Sequence, residues 1–355
     1  MYADIYLYWV ITICRLNVKL KSNASITHIK VLRFWVQFMP LDDSIIGIVI
    51  TVIDPDESLA FLCLARKKKY HFYLSKTWSA ALDLGGIVLD NIKLVALPCL
   101  CADVFFGTDE IRAGGEALNF AAHASKFDEV DVTILGVLGN DEYARHILDS
   151  IANKRINTAN IRIDERHATA HNITYLSTEG DRYYKDDSWN GEILDNIVLN
   201  DKEREIISGA DVVFVHIWAS CFEEVLELKK KHGFKLAVDF DVFSDYDKMK
   251  QLAPFIDFFM ISGTEEVLPD FKSMSECNEG LFNVTLAERG SVTYHKGVKY
   301  RIPAVPVENV VDTTGCGDSY HAGFVCSYMI DGDITKAMEK GAEFASDTLS
   351  HYGGF

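Results

Sequence analysis

From residue 92 onward the chain alternates short apolar runs with amphipathic stretches. The runs at 93–97, 132–137, 211–217, 235–240, 255–261 and 281–286 are rich in Val, Ile, Leu and Phe and have the length of buried strands. Between some of them, 116–127, 141–152 and 222–232 carry apolar residues at helical spacing, with Arg145 and Asp149 on the polar face of the second. This alternation predicts a mainly parallel sheet with helices on both faces. A different pattern at 169–184 alternates apolar and polar residues around Thr178, Glu179, Gly180 and Asp181. It predicts a β-hairpin, and a hairpin standing off an α/β sheet is placed to act as a lid. Residues 1–91 hold apolar bursts at 45–53 and 59–65 and a basic run at 66–69, without a steady period. We read 1–91 as an extension of uncertain order, either outside the functional protein or a regulatory or partner-binding module, and 92–355 as the domain that carries the function.

Length and composition fit this division. A chain of 355 residues suits one large domain or a domain with an appendage. With 48% hydrophobic and 25% charged residues it has the balance of an ordinary globular protein. Net charge is −17, and a surface that acidic repels phosphate backbones and anionic lipid, which excludes nucleic acid and membrane surfaces as expected partners. The charge is uneven. Residues 1–91 hold 10 Lys+Arg against 8 Asp+Glu, whereas 92–355 hold 25 against 44. The eight cysteines (Cys14, Cys63, Cys99, Cys101, Cys221, Cys277, Cys316 and Cys326) form no CxxC pair and no zinc-spaced set with His. They read as reduced thiols of a cytoplasmic protein. No apolar run reaches the ~18 residues of a spanning helix.

The strongest chemical signal is the string Asp312, Thr313, Thr314, Gly315, Cys316, Gly317, Asp318, entered from Val310 and Val311 and followed by an apolar helix from Ser319. Glycines two apart allow successive N–H groups to point into one hollow, and the start of the helix adds partial positive charge there. Asp318 at that start is placed to accept a proton from an attacking hydroxyl. Upstream, Gly114 and Gly115 open the predicted helix at 116–127, with Asn119 on its first turn. His216 and Trp218 lie in a buried-strand run and read as packing residues. Cys316 has no His partner nearby in sequence and is not read as a nucleophile.

Residues 312–318 resemble the DTxGAGD signature of the ribokinase/PfkB carbohydrate kinases, with Cys316 in place of the usual Ala. The resemblance runs from about Leu94 to the C-terminus and implies a ribokinase-like three-layer α/β sandwich with a small β lid. It further implies ATP-dependent phosphorylation of a sugar primary hydroxyl, with Asp318 as base and the backbone amides of Gly315, Cys316 and Gly317 as anion hole. Asp103, Gly114, Gly115 and Asn119 would bind the sugar, and Asp103 would close the first strand. Thr285, Gly290 and Thr313 would lie on the nucleotide side, with Glu265 assisting Mg²⁺ and Asp312 near a monovalent cation, K⁺. The chain departs from the family at Pro98-Cys99 (usually Gly-Asp), Glu116 (Asn or Lys), Ser262 (Asn) and Ala287 (Gly). Several stretches resemble the bacterial fructoselysine 6-kinases of this family: 169–171, 180–182, 211–218, 238–240 and 351–355. They imply an Amadori substrate, with Arg182 on the lid meeting the amino-acid carboxylate and Glu116 the ammonium. A kinase for ribose, fructose or a nucleoside, and a non-catalytic sugar-binding relative, stay open as alternatives. Parts of the family dimerise through their lids.

Overall fold

A computed structural model describes residues 33–42, 45–53, 58–66, 91–176, 182–183 and 185–355, with backbone alone at the three segments before residue 91 and at 176 and 182. The chain divides into two compact units, Met1–Asp90 and Asn91–Phe355. In the first, β1 (Arg33–Asp42), β2 (Ile45–Ile53) and β3 (Ser58–Arg66) form an antiparallel meander. The bursts at 45–53 and 59–65 thus form strands although they show no steady alternation. Continuous apolar composition, β-branched in 45–53 and Leu-rich in 59–65, suffices where cross-strand neighbours are available.

The second unit is built on a nine-stranded sheet. In spatial order it runs β19 (Val298–Ile302), β18 (Ser291–His295), β17 (Leu281–Thr285), β16 (Phe258–Ser262), β15 (Lys235–Asp239), β14 (Val212–His216), β4 (Ile92–Ala96), β7 (Val130–Ile134) and β9 (Ile156–Asn157). From β17 to β9 all neighbours are parallel; β18 and β19 close one edge antiparallel. Alternate residues of each strand enter two separate cores. Leu94, Ala96, Val212, Phe214, Ala237, Phe258 and Met260 face one side; Val95, Leu97, Val213, Val215, Leu236, Val238, Phe259 and Ile261 face the other. Burial on both faces explains why these strands read as continuous apolar runs. Each buried Phe contributes about 1.5–3 kcal/mol.

Helices α1 (Glu116–Ala124), α2 (Glu142–Ile151), α7 (Cys316–Asp331) and α8 (Ile334–Thr348) cover the first face. Helices α3 (Asp201–Ser208), α4 (Phe222–His232), α5 (Tyr246–Leu252) and α6 (Leu268–Cys277) cover the second. This is the three-layer sandwich expected from the sequence.

A smaller sheet projects from this body. It contains β5 (Cys101–Phe105), β6 (Ile111–Gly114), β11 (His171–Leu176), β12 (Arg182–Tyr183) and β13 (Trp189–Asn190), in the order β12, β11, β5, β6, with β13 also on β11. A short parallel pair, β8 (Val137–Gly139) with β10 (Arg162–Asp164), lies apart from it. The hairpin predicted at 169–184 is therefore part of a five-stranded lid, two strands of which, β5 and β6, come from 101–114. That region carries Cys101, Ala102, Val104, Phe105, Phe106 and Ile111, but they do not alternate with polar residues, so no strand period shows. Asp103 consequently lies on lid strand β5, not at the end of the first strand of the main sheet. Trp218 is a second correction. At 60% exposure it is a surface residue beyond the end of β14, not core packing.

Candidate active site

The C-terminal ends of the parallel strands gather on one edge of the main sheet, where open α/β sheets bind ligands. His216 ends β14, Asp239 ends β15, Ser262 ends β16 and Thr285 ends β17.

The signature loop has a specific local geometry. Gly315, the residue before α7, sits at φ +71° with the Gly354 Cα so close that an added Cβ would stand 2.6 Å from it. Only glycine combines that dihedral with that approach. No side chain caps α7, so its first-turn N–H groups face outward, although the Cys316 amide leans 3.3 Å toward the Thr313 carbonyl. Uncapped N–H groups at the start of a sixteen-residue helix are able to receive an anion. Asp318 is on that first turn.

Three elements converge on Asp318. The Asn119 side-chain amide of α1 donates to Asp318 Oδ2 at 2.8 Å. Burial pushes the Asp318 carboxyl up to about 8, with the charges of Glu116 and then Asp239 acting in the same direction. Asn119 and His321 oppose that shift only in part. Behind Asp318, His321 of α7 forms a buried ion pair with Asp239, Nδ1 to Oδ2 3.3 Å. Burial alone would drive this histidine neutral, but Asp239 outweighs it and raises its pKa. Asp241, two residues beyond β15, is raised by its own burial and by Asp239 and Glu116. The thiol of Cys316 is pushed up to about 11 by burial and by Asp318, which agrees with its not being a nucleophile.

Gly114 and Gly115 join the lid to α1. Gly115 has φ +102°, and a Cβ there would stand 2.6 Å from the Cys99 carbonyl. A Cβ on Gly114 would come within 3.3 Å of Asp103 Oδ2, so that carboxylate lies against this backbone corner. Asp103, Gly114, Gly115 and Asn119 thus line one continuous stretch from lid to α1, and Asn119 links it to Asp318.

The other expected positions separate from this cluster. Ser262 and Thr285 meet side by side, Oγ to Oγ1 3.2 Å, and Thr313 is exposed on the approach to α7. Gly290 lies against the Ile302 carbonyl, so its lack of a side chain has a packing reason of its own. Glu265 is partly exposed and paired to Arg301 at 2.8 Å, which holds its pKa down. Asp312 is buried. Its Oδ1 accepts from the Thr314 amide and hydroxyl, while Oδ2 accepts from the Gly353 amide and pairs with Arg112. The described contacts of both carboxylates are thus protein groups, and Asp312 fastens the signature loop. The Arg182 side chain lies outside the described residues.

Sequence reasoning marked the C-terminal tail only by resemblance and missed its contacts with the site, and it missed Arg112. Gly353 bonds Asp312, and the Gly354 carbonyl accepts from His123 Nε2 at 2.7 Å. Arg112 of lid strand β6 stacks on Phe105 and Tyr352, each 4.6 Å from the ring centre. It also missed Asp239 and His321; the available signals were an Asp ending an apolar strand and a His three residues after Asp318.

Comparison with known proteins gives this arrangement its family. Residues 106–354 match the model of the pfkB family carbohydrate kinases. The chain is a PfkB family carbohydrate kinase. Among relatives, fructosamine kinase FrlD of Bacillus subtilis (strain 168) is 26% identical over 276 residues, covering 74% of this chain and 93% of that protein. Fructoselysine 6-kinase of Escherichia coli (strain K12) is 23% identical over 262 residues, covering 72% and 96%. A ribokinase from Arabidopsis thaliana, solved with ribose and ATP, superposes with a TM-score of 0.63 at 19% identity, covering 75% of this chain and 94% of that one. A ribokinase II from E. coli, solved with ATP and Mg²⁺, gives 0.61 at 14% identity, covering 75% and 94%. The fold of this kinase is ribokinase-like and its activity is ATP-dependent sugar phosphorylation. No helix among its described residues is long and apolar enough to cross a membrane.

Proposed function

We propose that this kinase phosphorylates the 6-hydroxyl of a fructosamine that carries an amino acid, with fructoselysine as the type substrate. The observation that carries the reading is likeness over nearly the full length of relatives named fructosamine kinase and fructoselysine 6-kinase. Electrostatics support it. Glu116 and Asp239 act on Asp318 with negative charge, which favours a substrate bearing an ammonium group and disfavours one already phosphorylated.

In this reading Asp318 takes the proton of the attacking hydroxyl. Asn119 holds Oδ2 and leaves Oδ1 toward the substrate. The amides of Gly315, Cys316 and Gly317 stabilise the negative charge that develops during transfer. Asp103, Gly114 and Gly115 position the sugar, and Arg182 meets the amino-acid carboxylate. The uncapped start of α7, with Thr313 and Thr285, fits the anionic end of a nucleotide. ATP supplies the transferred phosphoryl group, and Mg²⁺ neutralises phosphate charge. Glu265 assists through water, because its carboxylate is held by Arg301. K⁺ near Asp312 depends on the loop that Asp312 fastens. Residues 91–355 constitute the working kinase, located in the cytoplasm, and the exposed lid aromatics Phe106, Tyr183 and Trp189 form a homodimer contact.

Phosphorus NMR and mass spectrometry of the product test the chemistry. A 6-phosphate made from fructoselysine by the native chain and not by Asp318→Asn is expected. Phosphate on another hydroxyl, or none with any sugar, would overturn the assignment.

A further inference from the structure

Next to Asp318, around Glu116, lies a side-chain set with the donor chemistry of a metal site. Cys99 follows β4, Glu116 opens α1 and His216 ends β14. One ligand atom from each lies within 4.8 Å of the others. Glu116 Oε2 and His216 Nδ1 are buried and have no hydrogen-bond partner among the described residues. A buried polar atom without a partner is costly, so a ligand between the two is favoured.

We propose that Cys99, Glu116 and His216 bind one divalent transition-metal ion of the zinc class, with a fourth position open to the pocket. A thiolate, an imidazole and a carboxylate form a donor set suited to Zn²⁺ and its open-shell substitute Co²⁺ and unsuited to Mg²⁺. Ligands at ~2.0–2.3 Å from a tetrahedral ion stand roughly 3.3–3.8 Å apart. The set therefore closes by about 1 Å on binding, within the reach of side-chain rotation. The Sγ–H bond breaks, a sulfur–metal bond forms and the proton leaves to solvent. Without metal the thiol holds its proton firmly, because the neighbouring Cys101, burial and Glu116 all raise its pKa. Three protein ligands with an open position resemble catalytic rather than structural zinc sites. Because Glu116 also acts on Asp318, an ion here would remove part of the negative field around the carboxylate.

The metal site can be tested without knowing which sugar is phosphorylated, although an ion on Glu116 would neutralise the charge that the proposed function offers to a substrate ammonium. The test uses the untagged full-length chain, stripped of metal and titrated with Co²⁺, then with Zn²⁺ in competition. One equivalent of Co²⁺ is expected, with thiolate-to-cobalt charge-transfer absorption and about one proton released, and Zn²⁺ displaces it. Cys99→Ser abolishes the absorption, and His216→Asn weakens binding by about 100-fold or more. Cys101→Ser retains the signal. Far-ultraviolet circular dichroism checks that each variant is folded. Absorption that survives in Cys99→Ser assigns the metal to another thiol and overturns the site, as does the absence of saturable Co²⁺ binding by the folded native chain.

Discussion

Asp318 governs the pH behaviour. Its folded pKa of about 8 lies above the ~3.9 of a free Asp, so the folded chain holds this proton more tightly than the unfolded chain. Its contribution to stability is therefore full below about pH 4 and is lost as pH rises through about 8. Asp318→Asn removes that loss. We expect its Tm at pH 8.5 to exceed that of the native chain by about 2 °C or more, while turnover falls about 10²–10⁴-fold. Calorimetry at pH 5 and 8.5 checks the first part, because the stability gain must grow with pH. Glu116 is the largest charge acting against ionisation of Asp318. In zinc-free buffer Glu116→Gln should move the acid limb of the kcat/KM profile to lower pH, and a move upward would remove Glu116 from the site's electrostatics. At this scale the sequence was informative about Asp318 and Asn119, since both sit in short strings of characteristic spacing. It was silent on Asp239, His321 and Arg112, whose partners lie far away along the chain.

The elements were legible in proportion to their burial. The run at 235–240 became β15 and the pattern at 222–232 became α4 with the predicted ends, because both are bounded by sharp polarity changes. Lid strands β5 and β6 were missed because both are short and the apolar residues of β5 do not alternate with polar ones. The tail 351–355 was recognised only by resemblance, yet it packs on the signature loop. A Cβ at position 354 would overlap Asn119 Oδ1 and stand 2.8 Å from its Nδ2. Gly354→Ala should thus cost about 1–3 kcal/mol and lower kcat about tenfold by displacing Asn119. Urea unfolding and steady-state kinetics on one preparation measure both. Arg112 ties lid strand β6 to Asp312 and Tyr352. Arg112→Ala should raise the sugar KM more than it lowers kcat, and an unchanged KM would argue against the lid being held through this residue.

For the whole molecule, the family match and the second compact unit cover nearly the same residues, 106–354 and 91–355. A chain beginning at residue 91 should therefore keep kcat within about twofold, because no expected site residue lies earlier, and ADP release by the shortened protein checks this. The sandwich was readable because two buried faces leave continuous apolar strands. The sugar was not, because it depends on a few side chains around a hollow. The most direct measurement is therefore coupled ADP release with Mg-ATP, comparing kcat/KM for fructoselysine with fructose, ribose and adenosine. A ratio of at least about 100 in favour of fructoselysine, lost in Asp318→Asn, is the result predicted here. Equal or better turnover of fructose, ribose or adenosine would keep the kinase and contradict the Amadori substrate.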